Sequence, residues 1–157
     1  MKKIVAILTV FCLSFSINAQ VSISGQIGKE KFNISDVYNI FDENEAEETY
    51  FKIENGKLFY YLVNYYEDRV IQYITSEAVI KTMDLKNVEY KPYREYGQFM
   101  YIKAKKHDYY VTQKRKDLDL VDKVTVTTED DEKSTFMIII KSKEEGETLI
   151  KLLKKGK

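Results

Sequence analysis

The run from Thr49 to Tyr66 constrains this chain more than any other stretch. Tyr50-Phe51-Lys52-Ile53 alternates with period two, meets Asn55-Gly56, and resumes as Lys57 to Tyr66. Asn-Gly favours positive φ at both turn positions, which matches the twist of a tight hairpin. In the second arm both faces are apolar or aromatic: Leu58, Tyr60 and Leu62 on one, Phe59, Tyr61 and Val63 on the other. Such a strand belongs at the centre of a sheet, with other layers packed on both sides. A chain containing it must therefore build layered β-structure.

The remainder reads the same way. Val21, Ile23 and the pair Gly25/Gly28 predict a short strand or ordered lead-in. Ser35 to Phe41 admits one or two helical turns, with Ser35 as N-cap and Val37, Ile40 and Phe41 on one face; its alternation also admits a strand. The acids Asp42, Glu43, Glu45, Glu47 and Glu48 repel one another and are expected in a solvated loop. Glu67-Asp68 turns the chain into Val70, Ile71, Tyr73 and Ile74. Alternation continues from Ala78 through Val79 and Met83 to Leu85, then Val88 and Tyr90, with Pro92 expected at a strand edge. Gly97 marks a turn before Phe99, Tyr101 and Lys103 alternate against Met100, Ile102 and Ala104. His107-Asp108 reads as another turn, and Gln113 to Asp119 as a polar loop. The β-branched runs Val121 to Thr127 and Thr135 to Lys141 flank Glu129-Asp130-Asp131-Glu132, which reads as a hairpin tip.

The last segment changes period. Ser142-Lys143-Glu144-Glu145 is a capping box, in which the serine hydroxyl accepts from the Glu145 amide and the glutamate reaches back. Leu149, Ile150, Leu152 and Leu153 then form one apolar stripe at helical spacing. Lys151, Lys154 and Lys155 suit the negative end of the helix dipole, and Gly156 ends it.

Strands followed by one terminal amphipathic helix make an α+β arrangement, an antiparallel β-barrel or strongly bent sheet closed by the helix. Three stretches in this order resemble the pleckstrin-homology-like (PH-like) superfamily. They are the hairpin Phe51 to Tyr60, the Met83-Asp84-Leu85-Lys86-Asn87-Val88 stretch, and the ending Thr135 to Ile150. The likeness spans roughly Thr49 to Lys155 and consists of patterns rather than signature motifs. It implies a bent barrel sealed by the helix, serving as a binding scaffold. Phosphoinositide-binding members surround the first hairpin with basic residues, whereas here only Lys52 and Lys57 appear, with Glu54 between them and Phe59 in the second strand. The helix also lacks the family's tryptophan, so no ligand carries over. Lipocalin-like and cystatin-like folds are the alternatives.

The beginning reads as an address. Lys2 and Lys3 precede the apolar run Ile4 to Ile17, and Asn18-Ala19-Gln20 closes it, as in a secretory signal peptide cut between Ala19 and Gln20. The run is shorter than the roughly 20 residues that span a bilayer. Residues 1–19 are thus expected to be a cleaved signal, 20–48 a lead-in with the acidic loop, and 49–157 one β-rich domain. The mature chain is expected to be exported, periplasmic or secreted, without a transmembrane segment. It would lose Cys12, its one cysteine, and stabilise itself by its core without disulfides.

Composition narrows the chemistry. The 157 residues carry 25 Lys+Arg against 25 Asp+Glu, which argues against a nucleic-acid partner. A thiol-free mature chain has no cysteine nucleophile or thiolate metal site. His107, the one imidazole, sits in the charged turn Lys105-Lys106-His107-Asp108, ill-suited to excluding water. Asp117, Asp119 and Asp122 lack the glycine and closing glutamate of a calcium loop. No nucleophile-elbow, zinc-protease or phosphate-loop motif is present. No cofactor, metal or catalytic residue is expected. Tyr93, Arg94, Tyr96, Lys103, Lys105 and Lys106 form the candidate partner surface, Tyr90 and Tyr101 extend its aromatic group, and Lys114-Arg115-Lys116 follows in sequence. The expectation is a small exported, non-enzymatic binding domain for an unknown protein or small molecule. The alternatives are a carrier of a small apolar ligand and a carboxylate-dependent hydrolase.

Overall fold

The computed structural model describes residues 20–27, 30–43, 46–95, 97–105, 109–117, 120–127 and 133–156. Strand β4 (Lys57–Tyr66) holds the centre of a seven-stranded antiparallel sheet of order β1-β2-β3-β4-β5-β8-β9. The flanking strands are β1 (Val21–Ile27), β2 (Glu30–Glu43), β3 (Glu47–Glu54), β5 (Arg69–Val79), β8 (Tyr109–Asp117) and β9 (Leu120–Thr127). Asn55 and Gly56 take φ of 50° and 73°, and close β3 onto β4 with Glu54 opposite Lys57. Glu67 and Asp68, at 46° and 59°, make the next turn. Both turns run left-handed at both residues, the geometry that lets a two-residue loop join twisted strands.

The two faces of β4 feed two cores. Leu58, Tyr60 and Leu62 enter the larger, with Phe41, Phe51, Met100, Ile102, Phe136, Ile138, Leu149 and Leu153. This core is covered by a three-stranded sheet of order β10-β7-β6 and by helix α1 (Lys143–Lys155). Its strands are β6 (Glu89–Tyr93), β7 (Gly97–Lys105) and β10 (Lys133–Ile140). Tyr61 and Val63 enter the smaller core with Ile23, Ile27, Val37, Tyr50, Val70 and Tyr73. Here β1 lies against β5. In a flat sheet those strands would stand about 19 Å apart, at about 4.8 Å per position. The sheet therefore curls strongly. It does not close: β1 is paired with β2 and β9 with β8, so the arrangement is α+β with a bent sheet and not a sealed barrel.

Helix α1 begins as its sequence predicts. The Glu145 amide donates to Ser142 Oγ at 3.3 Å, while Glu145 Oε2 accepts from the Lys141 amide at 3.0 Å, one residue before the cap. Gly156 at the C-cap has φ −88°, so no left-handed turn requires glycine there. Space does: a Cβ at Gly156 would lie 3.2 Å from Ile53 Cγ2. Gly146 is tighter still, since a Cβ would meet Ile140 Cδ1 and Tyr90 Cε1, each at 2.7 Å. The helix thus presses backbone-first onto β6 and β10.

Several sequence expectations are corrected. Ser35 to Phe41 is strand, because Val37 enters the small core while Ile40 and Phe41 enter the large one. One helical face cannot serve two cores. Ser35 and Asp36 lie in a bulge between Val37 and Ile34, with Asp36 at φ 61°. The lead-in 20–48 supplies two full strands of the main sheet. The acidic run is mostly strand, and Glu47 is buried. Alternation past Val79 gives way to a 3₁₀ turn, Ile80–Thr82. Gln113 to Asp117 continues β8. Strands β9 and β10 do not form the expected hairpin: β9 pairs with β8 and β10 with β7, in different sheets. Turn residues tell where a chain reverses, not which strand receives it. Among the described residues no helix is long and apolar enough to cross a membrane.

Candidate functional site

The three-stranded sheet sorts its residues by parity. Tyr90, Met100, Ile102, Ala104, Phe136, Ile138 and Ile140 turn toward the helix and the main core. The opposite face carries Glu89 and Lys91 from β6, Phe99, Tyr101 and Lys103 from β7, and Thr135 and Met137 from β10. Register places Tyr101 between Glu89 and Met137, and Lys103 beside Thr135. With Asn87, these groups line an open groove of about 280 Å³. Lys91 Nζ stands over the Tyr101 ring at 5.0 Å from its centroid, an electrostatic attraction to the ring face. Phe99 lies next in the row, 5.8 Å from Tyr101. Met137 is 41% exposed, a large apolar side chain in solvent beside an aromatic ring.

A loop fixes one end of this groove. The Asp84 amide donates to the Lys103 carbonyl at 2.8 Å, tying the loop to β7. The Asp84 carboxylate accepts from the Asn87 side chain at 2.8 Å and from the Lys86 and Asn87 amides at 3.1 and 3.2 Å. These bonds, led by the Asn87 amide group, hold its pKa below the ordinary carboxylate value, and the Lys103 charge adds to the effect.

At the other end the β2–β3 hairpin closes over the sheet. The Tyr93 hydroxyl donates to Glu47 Oε1 at 2.7 Å, and Arg94 pairs with Glu43. Glu43 and Glu47 are direct cross-strand partners, so two carboxylates sit side by side and are met by a phenol and a guanidinium. Desolvation, then the Glu47 hydrogen bond, pushes the Tyr93 pKa well above its ordinary value. Deeper in, Tyr60 is fully enclosed and its pKa is raised chiefly by desolvation.

The structure divides the surface expected from sequence. Tyr93 and Arg94 are engaged in tying the two sheets together. Lys103 lies in the groove, and Lys105 continues the same strand, opposite Lys133. Lys114 and Arg115 belong to β8 of the other sheet. Tyr96, Lys106, His107 and Ala19 lie outside the described residues, and Gln20 is exposed just before β1. Sequence reasoning missed Lys91, Thr135 and Met137. Their signal was the parity of β6 and β10, which becomes informative only once both are known to flank β7. It also missed Glu47, masked by its acidic neighbours.

A second, shallower depression of about 500 Å³ lies on the β1–β2 hairpin, lined by Ser24, Gly25, Gln26, Lys31, Phe32 and Asn33. Among the described residues no group of three or more His, Cys, Asp or Glu side chains could hold a metal ion. No protein-family model, no curated protein and no solved structure matches this chain.

Proposed function

We propose that this protein is an exported, non-enzymatic binding domain that meets its partner through the outer face of the three-stranded sheet. One observation carries the reading: Tyr101 and exposed Met137 form an apolar centre flanked by Lys91 and Lys103, in a groove open to solvent. Aromatic and methionine side chains within a polar rim are the composition of protein interfaces. What supports export is the basic start, apolar run and small-residue boundary at Ala19 and Gln20. What supports the PH-like reading is the bent antiparallel sheet with its capped terminal helix; the separate three-stranded sheet is a departure from that pattern.

A photo-cross-linking residue at position 101, introduced in the native cell, tests this. A discrete adduct is expected there, and none from the same residue at Glu144 on the exposed side of the helix. No adduct at 101, or the same one from both sites, overturns the proposal.

The hydrolase reading has one observation in its favour, the adjacent carboxylates Glu43 and Glu47. Arg94 and Tyr93 already engage them, in an arrangement that joins two sheets. Hydrolysis of a glycoside panel that is abolished in Glu47→Gln would revive it.

A further inference from the structure

We infer that the groove over Tyr101 receives an extended acidic segment of a partner protein, with an apolar residue followed by acids at the second and fourth positions after it. The inference rests on the proposed binding role of this face and adds the chemistry of the ligand. Three observations lead to it.

The first is a charge gradient along the sheet. Beyond Tyr101 and Met137 the β7–β10 ladder reaches Lys103 opposite Thr135, and then Lys105 opposite Lys133. Lys91 flanks Tyr101 from β6. Glu89 is the one acid in the groove lining, and the Asp84 carboxylate is turned to its own loop amides. Like charges directly opposite in a sheet are unfavourable. A cross-strand Lys–Lys position therefore costs stability that an arriving anion would return.

The second is the apolar anchor. Met137 is 41% exposed at the register position facing Tyr101. A polyanion alone has no use for an exposed thioether, whereas a peptide bearing one apolar side chain would cover it.

The third is spacing. Tyr101, Lys103 and Lys105 are alternate residues of one strand, so their positions repeat at about 6.7 Å. An extended peptide repeats its same-side residues at the same interval. A chain lying along β7 with its apolar residue at Tyr101/Met137 places its next two same-side positions at Lys103/Thr135 and Lys105/Lys133. Charge-assisted contacts at those positions would be salt-sensitive and would set register as well as affinity.

The test compares two peptides of one composition against the purified protein by fluorescence anisotropy. Leu-Thr-Glu-Thr-Glu puts its acids on the side of the leucine when extended; Leu-Glu-Thr-Glu-Thr puts them on the opposite side. The first is expected to bind about tenfold more tightly, and Lys103→Glu and Lys105→Glu each to weaken it about tenfold, one charge-assisted contact apiece. Binding should also fall as salt rises. Circular dichroism and the melting temperature of each variant separate lost binding from lost folding. Equal binding of the two peptides overturns the inference. Dextran sulfate or anionic vesicles binding in a Lys103-dependent way, with neither peptide bound, overturns it while leaving the outer face as the binding surface. No probe responding to Lys103, Lys105 or Met137 substitution overturns both.

Discussion

The Tyr60 hydroxyl, at the centre of β4, accepts a hydrogen bond from the Ile139 amide of β10 at 3.0 Å, while Thr49 Oγ1 donates to the Ile139 carbonyl at 3.4 Å. Strand β10 is the edge of its sheet, so Ile139 has no further strand to pair with on that side. Side chains of the facing sheet take the place of that strand. An unpaired edge would otherwise bury an orphaned amide and carbonyl or expose a template for aggregation. The two sheets are thereby joined by directional bonds in addition to apolar packing.

Tyr60→Phe keeps the ring and removes the acceptor. It is expected to destabilise the fold by about 1–3 kcal/mol, the cost of leaving a buried amide unsatisfied. Urea unfolding should show a lower midpoint with an unchanged slope. A variant as stable as the parent would mean that this bond does not hold the sheets together.

Gly146→Ala runs against the helix-propensity rule. In an exposed helix interior alanine would stabilise by about 1 kcal/mol. Here the added methyl meets Ile140 and Tyr90 at 2.7 Å, so overpacking costing about 1–3 kcal/mol should dominate. The melting temperature is expected to fall; a rise would show that the helix can move off β10 at little cost.

Alkaline pH is expected to unfold the protein steeply. Burial raises the pKa of Tyr50, Tyr60, Tyr61, Tyr65, Tyr73 and Tyr93 above the unfolded value of about 10. The folded state thus holds phenolic protons that the unfolded state releases. Their contribution is fully present below about pH 10 and is lost as pH rises through the folded values. Near-ultraviolet tyrosinate absorbance should lag that of free tyrosine and then rise together with loss of structure. Independent, early ionisation of these six would contradict the packing described.

Pro92 lies on edge strand β6, where it removes one backbone donor. Pro92→Val restores that donor on an exposed strand. Concentration-dependent self-association in sedimentation velocity is the expected result, with stability changed by no more than about 0.5 kcal/mol. A strictly monomeric variant would assign edge protection to other residues, such as Lys91.

Local physics made much of this fold legible in the chain. Asn55-Gly56 announces a left-handed two-residue turn because of its own φ preferences. The doubly apolar pattern of Lys57–Tyr66 requires layers on both sides. Ser142 and Glu145 mark a helix start through bonds that span three or four residues. Where the expectation failed, distant partners decided. Val37, Ile40 and Phe41 look like one helical face until two separate cores claim them. Glu47 looks like one more solvated acid until the Tyr93 hydroxyl meets it.

The binding face shows the same division. Alternation in β7 places Tyr101 and Lys103 on one side of a strand from sequence alone. That Met137 and Thr135 stand beside them, that Lys133 stands opposite Lys105, and that Arg94 is drawn off to Glu43, follows from β10 leaving β9 to pair with β7. What the sequence by itself determined is where strands run, where they turn and where the helix starts, since those depend on neighbours a few bonds away. Which strands pair, and so which side chains meet at the groove, was decided by the tertiary structure. Strand partnership is settled by burying both faces of β4 at once, a condition that no local stretch of chain contains.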